Sequence, residues 1–505
     1  MLELVNPSRQ AVCALLLAAA APASAFAQCP DGTPPPCAPR PPRVAAPAPT
    51  SVAILYLDNL SRDTADAYLA DGLTEELTSR IGAIERLRVT GRSVARRAQQ
   101  ASGGDVAALG RMLGVRYLVE GSVRRSGSRV RVSVRLLRAA DGVRVWGEDY
   151  DRTVTDLLDL QEDLAREVAT NVAGRLLPAE RVAIAARPTS DPVAFNESLR
   201  GSYLGRRRTA AALQQAAAAF EAAARRDPRF AAAEARRAYA YGLAYAYGAD
   251  WAPPESLAAW GARAAERAIR LDSTVSDSWM AQGITRLWFV PRGVRGASEA
   301  YGRATALDPR NAEAHHAHGV ALSWLGEDSA AIASFRRALE LDPARAVTLL
   351  DLAEVLALEQ HDAEARRLLD SAIALDPAQA RPYVSRAFLR LSAADLVGAR
   401  QDAETGLRLS PRGVRPSALS ALAAVNAAAG DTARARSIAA LIEAEAWGAA
   451  DAARALLALG EPDSALAVLE RAPAAALLWY TLRFPEFDRI RSHPRFRRIV
   501  AAAHP

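Results

Sequence analysis

The sequence predicts a small α/β head domain, a mixed sheet with helices, followed by an all-α helical solenoid. Three observations carry that reading. Leu307-Asp308-Pro309 recurs as Leu341-Asp342-Pro343, Leu375-Asp376-Pro377 and Leu409-Ser410-Pro411, each marker 34 residues after the last. Arg129 to Leu136 alternates strictly. Val130, Val132, Val134 and Leu136 take one face and Arg129, Arg131, Ser133 and Arg135 the other, the period of a half-buried antiparallel strand. Near Thr153 the apolar period changes from two to that of a helix.

Composition narrows the function. At 505 residues the chain is too long for one core. Half the residues are apolar, but Ala dominates and aromatics are few, which suits thin, closely packed helices better than a large enzyme core. All 63 basic residues are Arg. Without Lys there is no Walker A lysine, no kinase phosphate-pairing lysine and no Schiff-base lysine. The net charge is +6 and the pI about 9.4. The Arg residues are interspersed with 57 acids, and Arg206-Arg207-Arg208 is the only run of three. This reads as solvated helix surface, and no nucleic-acid partner is expected.

Residues 1–27 read as a signal peptide: Arg9 precedes an apolar run from Ala11 to Ala21, and Ala25-Phe26-Ala27 fits the small-residue cleavage rule. The run is short for a membrane span, so no span is expected after cleavage, and the protein is expected to be periplasmic or secreted. Gln28 before Cys29 does not fit a lipoprotein signal. Residues 28–50 form a Cys- and Pro-rich linker. Cys29 and Cys37 are the thiols left once Cys13 departs with the signal, and in an oxidising compartment they are expected to pair as a disulfide.

Residues 51–186 read as the head. Val52 to Leu57 is a short buried strand, Asp66 to Ile81 a helix with Leu69, Leu73, Leu77 and Ile81 in register, and Leu87 to Thr90 a second strand. Asp105 to Leu113 is a short helix stopped by Gly114, and Arg116 to Val123 a strand. Arg129 to Leu136 turns at Asp141-Gly142 into Val143 to Tyr150. Thr153 caps a long helix that is expected to break at Pro178, and Arg187-Pro188 marks the edge of a head expected to fold separately.

Several stretches in this order carry a resemblance. They are Asp58-Asn59-Leu60-Ser61, Ala70-Asp71-Gly72-Leu73-Thr74-Glu75-Glu76-Leu77, Leu113 to Arg125, Arg138-Ala139-Ala140-Asp141-Gly142 and Trp146-Gly147-Glu148-Asp149-Tyr150-Asp151. Together they resemble the TolB amino-terminal-like (FlgO-like) domain, which the resemblance implies is a small α/β sheet domain preceding tetratricopeptide repeats in bacterial signalling proteins. Tyr56-Leu57 stands where that family has Pro-Phe before the Asp-Asn pair. In relatives the pair often trails a winged-helix, class III adenylate cyclase or Ser/Thr kinase module. Here a signal peptide and linker precede it, so that effector activity is not carried over.

The array, residues 193–411, resembles the tetratricopeptide repeat. Small residues let two antiparallel helices approach and a Pro ends the second. Phe220 and Ala223 precede Asp227-Pro228, and the next unit is stretched, with extra length near Gly248 to Pro254. Gly283 and Tyr301 hold the small and large positions of a further unit. Residues 412–505 read as degenerate helical repeats with a carboxy-terminal cap over the last apolar face.

If Gly283, Gly319, Ala353 and Ala387 are equivalent, the first helix of each pair lines a concave groove with residues three or four apart. These are Asp277, Met280, Ile284 and Leu287; Glu313, His316, Val320 and Ser323; Val347, Leu350, Glu354 and Ala357; and Arg381, Val384, Phe388 and Leu391. The track is mostly apolar with a few charges and suits an amphipathic or extended peptide. The Lys and Asn that clamp a terminal carboxylate in relatives are absent from these positions.

Catalytic motifs are not apparent: there is no H-E-x-x-H, G-x-S-x-G, G-x-G-x-x-G or C-x-x-C. His315 and His318 share a helix face, but with no Cys or carboxylate cluster beside them they read as packing or surface residues, and no metal or cofactor is expected. Asp58, Asp71, Glu75 and Glu120 offer a carboxylate pair only if the fold brings two together. The sequence therefore predicts an exported, non-enzymatic scaffold that binds a protein or peptide. The alternative is the sensory module of a cyclase- or kinase-linked system whose effector is a separate chain, and the weakest is a hydrolase using the head acids.

Overall fold

A computed structural model describes residues 50–410, 414–443, 448–472 and 476–505. The expected signal peptide, the linker up to residue 49 and the Cys29–Cys37 pair lie outside these residues. The fold is an α/β head with a small mixed sheet, followed by a long helical array. Among the described residues no helix is long and apolar enough to cross a membrane.

The head sheet consists of β1 (Ser51–Ile54), β2 (Asp58–Asn59), β3 (Arg88–Val89), β4 (Tyr117–Ser126), β5 (Arg129–Arg138) and β6 (Arg144–Thr153). Its order is β3-β1-β4-β5-β6, with β2 also paired to β4. β1 runs parallel to β3 and β4, while β4, β5 and β6 form an antiparallel meander. Val130, Val132, Val134 and Leu136 are fully buried under α1 (Ala67–Gly82) and α4 (Leu157–Ala173), with Leu69, Leu73, Leu77 and Leu164 opposite. The far face packs α2 (Arg92–Ala101) and α3 (Val106–Leu113) on Ala53, Leu118 and Leu137. Gly121 is required here, because a Cβ would fall 2.1 Å from the Ser133 carbonyl oxygen on the neighbouring strand.

Three local expectations need correction. Val52 to Leu57 is not one strand. Ile54 pairs with Val119 but Asp58 with Ser122, so one extra residue is accommodated between them, as in a bulge. The Tyr56 and Leu57 amides leave the ladder and donate to the side chains of Gln99 at 3.1 Å and Thr74 at 3.2 Å. Helix α2 is an addition to the expected elements: it buries the small residues Ala95 and Ala98, behind an Arg- and Gln-rich outer face. Pro178 does not break a helix: α4 ends before Gly174, at φ +75°, and Pro178 opens α5 (Pro178–Ala185).

The array begins with α6 (Pro192–Gly205) against α7 (Ala210–Arg226) and α8 (Ala231–Ala246) against α9 (Pro254–Leu271). Then come α10 (Ser276–Phe289) with α11 (Val294–Leu307), α12 (Ala312–Leu325) with α13 (Asp328–Leu341), α14 (Ala346–Leu358) with α15 (Asp362–Leu375), and α16 (Ala380–Ser392) with α17 (Leu396–Leu409). The pairs α18 (Arg415–Ala428) with α19 (Thr432–Glu443) and α20 (Ala449–Ala458) with α21 (Pro462–Arg471) follow. The chain ends in α22 (Ala476–Thr481), a 3-10 turn over Pro485–Ile490, and α23 (Pro494–Ala503).

Size complementarity sets how closely each pair packs. A Cβ on Gly283 would lie 2.4 Å from Cε1 of Tyr301, and one on Gly319 2.7 Å from the Phe335 ring. In the next pairs the large residue shrinks to Leu369 and then Ala403, and Ala353 and Ala387 replace glycine. All eight residues are buried. The insertion in the stretched unit is the loop before Pro254, where Trp251 stacks on Trp260 with centroids 6.2 Å apart.

Head and array share a core. Phe195 and Leu199 of α6 belong to the apolar cluster under the head sheet, and Tyr68 of α1 donates to Asn196 at 3.0 Å. A second contact lies further along the array. Arg310, ahead of α12, donates to the carbonyls of Gly82 and Glu85, and a Cβ on Gly91 would come within 2.7 Å of the Leu341 carbonyl.

Candidate functional site

The first helices of successive pairs line a concave cleft of about 1450 Å³. Thirteen of the sixteen residues selected by spacing lie on it: Ile284 and Leu287; Glu313, His316, Val320 and Ser323; Val347, Glu354 and Ala357; Arg381, Val384, Phe388 and Leu391. Three do not. Leu350 and Met280 are buried in the packing between helices, and Asp277 instead accepts from Arg236 at 3.0 Å. The residue that faces the cleft on α14 is Asp351, one position past Leu350. A 3.6-residue period allows steps of three or four, and spacing from Val347 does not choose between them. The signal was present: Asp351 and Glu354 are the only charges on α14.

Polar groups gather on the cleft floor. Glu313 is joined to Arg345, accepts from Tyr239 Oη at 2.6 Å and lies 3.5 Å from Arg208 Nη2. Burial pushes its carboxyl up, but Arg345 and Arg208 outweigh that and hold it well below the usual range. His316, nearly buried, meets Thr348 Oγ1 through Nδ1 at 3.2 Å. Burial, with Arg345 beside it, takes His316 down to about 3, so the imidazole is neutral near pH 7. Its 3.7 Å approach to Asp351 is therefore not an ion pair of full charges. Asp351 is raised by burial, with Arg381 opposing. Arg381 Nη2 spans Asp351 at 3.0 Å and Glu354 at 2.9 Å, and Ser385 donates to Glu354 at 2.8 Å.

The walls are aromatic. Tyr245 and Trp288 lie 5.9 Å apart, and Trp288 meets Trp324 edge-on at 5.2 Å. Arg454 sits over Phe388 at 5.0 Å and Phe484 at 5.1 Å. Sequence spacing missed these groups because it considered one helix face of four pairs. Arg208 comes from the turn before α7, Arg454 from α20, and Tyr480 and Phe484 from the carboxy-terminal segment.

The polar side chains of the cleft are engaged with one another and with the backbone. The floor carboxylates are engaged by guanidinium groups, the imidazole is neutral and packed, and Ser323, Ser385 and Ser417 donate to Val320, Glu354 and Asp451. Among the described residues no group of His, Cys, Asp and Glu is arranged to hold a metal. Of the head acids, the fold brings Asp71 and Glu75 together, because both pair with the same two Arg side chains. Asp71 and Glu75 engage Arg206 and Arg92 at the head–array junction, Glu120 lies 4.0 Å from Arg135, and Asp58 is exposed on β2.

Residues 312–345, spanning α12 and α13, match the family model described as tetratricopeptide repeat. Over 166 residues the chain is 32% identical to a Rhizobium meliloti (strain 1021) protein named "Putative adenylate cyclase 3". The match covers 32% of this chain and 28% of the length of that relative. Similar solved structures include PilF of Pseudomonas aeruginosa, at 19% identity and a TM-score of 0.34 over 42% of this chain and 90% of that one. YrrB, described as a tetratricopeptide-repeat protein with an unusual peptide-binding site, is 18% identical with a TM-score of 0.29 over 41% and 98%. Yeast Tom70 is 15% identical with a TM-score of 0.36 over 61% and 67%.

Proposed function

We propose that this chain is an exported, non-enzymatic binding and scaffold protein of the cell envelope whose concave cleft takes a protein or peptide. The observation that carries the reading is the cleft itself. It offers aromatic walls and a floor of fixed ion pairs, and its polar side chains are held by one another rather than aimed at a reacting atom. The repeat match supports a protein-interaction role. The head is read as a TolB amino-terminal-like domain that anchors the first repeat.

Crosslinking in cells followed by mass spectrometry identifies the partner, and Phe388→Ala then tests the cleft. Phe388 is half-buried beside Arg454. Capture is expected to fall about tenfold with the thermal midpoint nearly unchanged. Undiminished capture would remove the cleft from the function. Amino-terminal sequencing tests export: the mature chain is expected to start after Ala27, and a start at Met1 or a lipid on Cys29 overturns it.

A second reading is the sensory module of a signalling system whose effector is a separate chain. The match to a relative named as a cyclase favours it. It predicts a cyclic-nucleotide or kinase output that changes when this protein is deleted, and an unchanged output counts against it.

A further inference from the structure

The cleft is closed on one side by the chain's own carboxy-terminal segment. After α21 the backbone does not simply cap the last pair. It returns to α12, and Arg483 makes a bidentate ion pair with Asp328, 155 residues upstream. The same guanidinium donates to the Ser323 carbonyl at 3.0 Å and lies over the Trp479 ring at 5.1 Å. Trp479 sits against Gly326, the left-handed residue that ends α12, where a Cβ would meet Cη2 at 2.7 Å. Tyr480 is buried in one apolar cluster with Val294 and Trp324. Tyr480 and Phe484 also line the cleft, so part of its wall is this segment.

Two features separate this segment from an ordinary cap. Leu482, Phe487 and Ile490 cover the last pairs in one apolar cluster, and Tyr480 sits in a separate one with Val294 and Trp324. The contacts around the α12–α13 turn are those of a recognition site: a glycine seat for an indole, an apolar pocket for a phenol and a mostly buried carboxylate that takes a guanidinium at both oxygens. An open solenoid groove would accept an extended peptide along its length, but this segment stands in that path.

We propose that residues 476–484 are a latch that mimics the cleft's partner, and that the partner enters by displacing it with a helix of the same chemistry. That helix carries two adjacent aromatic residues and an Arg four positions after the first, in the places of Trp479, Tyr480 and Arg483. The inference rests on the cleft being a protein-binding site.

The test uses the full chain and a fluorescein-labelled synthetic peptide of residues 476–484, with affinity read by anisotropy. Arg483→Ala loosens the latch and leaves Asp328 free to receive the peptide's Arg. The peptide is expected to bind Arg483→Ala about tenfold or more tighter than the unaltered chain, and Asp328→Asn in the same chain is expected to cancel the gain. Equal affinity for the two chains overturns the latch. If Arg483→Ala unfolds, hydrogen exchange on the unaltered chain decides. Excess peptide is expected to speed exchange of amides 476–484 while α12 stays protected, and unchanged exchange overturns the proposal. A cellular partner captured equally by the unaltered and Arg483→Ala chains removes the latch but leaves the binding cleft standing, whereas failure of the Phe388→Ala test removes the cleft.

Discussion

The head and the array solve the packing problem in opposite ways. The head buries large branched side chains between a sheet and two helices, and many of its charges stand as solvated pairs on the outside, such as Arg129 with Asp151. Much of the array's core is Ala and Gly, and charges such as Glu313, Arg345 and Arg381 are gathered on its concave side. A sheet holds its strands by backbone hydrogen bonds and can fill the space above it with bulk. Paired helices approach closely only where side chains are small. The head should therefore be most sensitive to lost volume and the array to added volume.

Four measurements sharpen or break that contrast. The largest effect is expected from Leu73→Ala in the head, fully buried under the sheet, at about 3 kcal/mol of destabilisation in urea unfolding. A loss below ~1 kcal/mol would show that the head is not volume-limited. Gly283→Ala adds a single methyl carbon in the array, yet it would press on the Tyr301 ring. A loss of about 2 kcal/mol is expected despite alanine's better helix propensity, and a neutral result would mean that the pair can spread.

Glu313→Gln comes third, at about 2 kcal/mol, because it leaves the guanidinium groups of Arg345 and Arg208 facing a neutral amide in a partly enclosed cleft. Its pH dependence is diagnostic. The Glu313 carboxyl is held below its ordinary value of 4.5, so its contribution is present above that pH and is lost as pH falls through the depressed folded value. Glu313→Gln is expected to flatten that acid arm of the stability curve. Asp351, raised by burial, acts in the other direction, its contribution falling as pH rises through its folded value, and this remains in the Gln variant. In the head, the Arg86 hydrogen bond takes Glu180 down to about 2. This pair is more exposed, so 0.5 M salt is expected to weaken its acid dependence more than that of Glu313. Equal salt sensitivity would erase the distinction. The smallest effect is Arg129→Ala on the exposed sheet face, within about 0.5 kcal/mol by urea unfolding.

The sequence by itself determined the local architecture: the 34-residue beat, the Arg129 to Leu136 alternation, the Gly114 stop and the small–large pairing of Gly283 with Tyr301. These were legible because they depend on neighbours a few residues apart or on one strict period. It also placed most of the groove, since equivalent positions of a repeat face the same way. The tertiary structure alone decided the rest. It chose Asp351 over Leu350, a choice left open by a period between three and four. It made a helix of Arg92–Ala101, which seats the small residues Ala95 and Ala98 in the core. It joined Phe195 and Leu199 to the head core, across a boundary set only by a change of period. It also carried Arg483 back to Asp328, because an ion pair 155 residues apart in sequence leaves no local spacing to read.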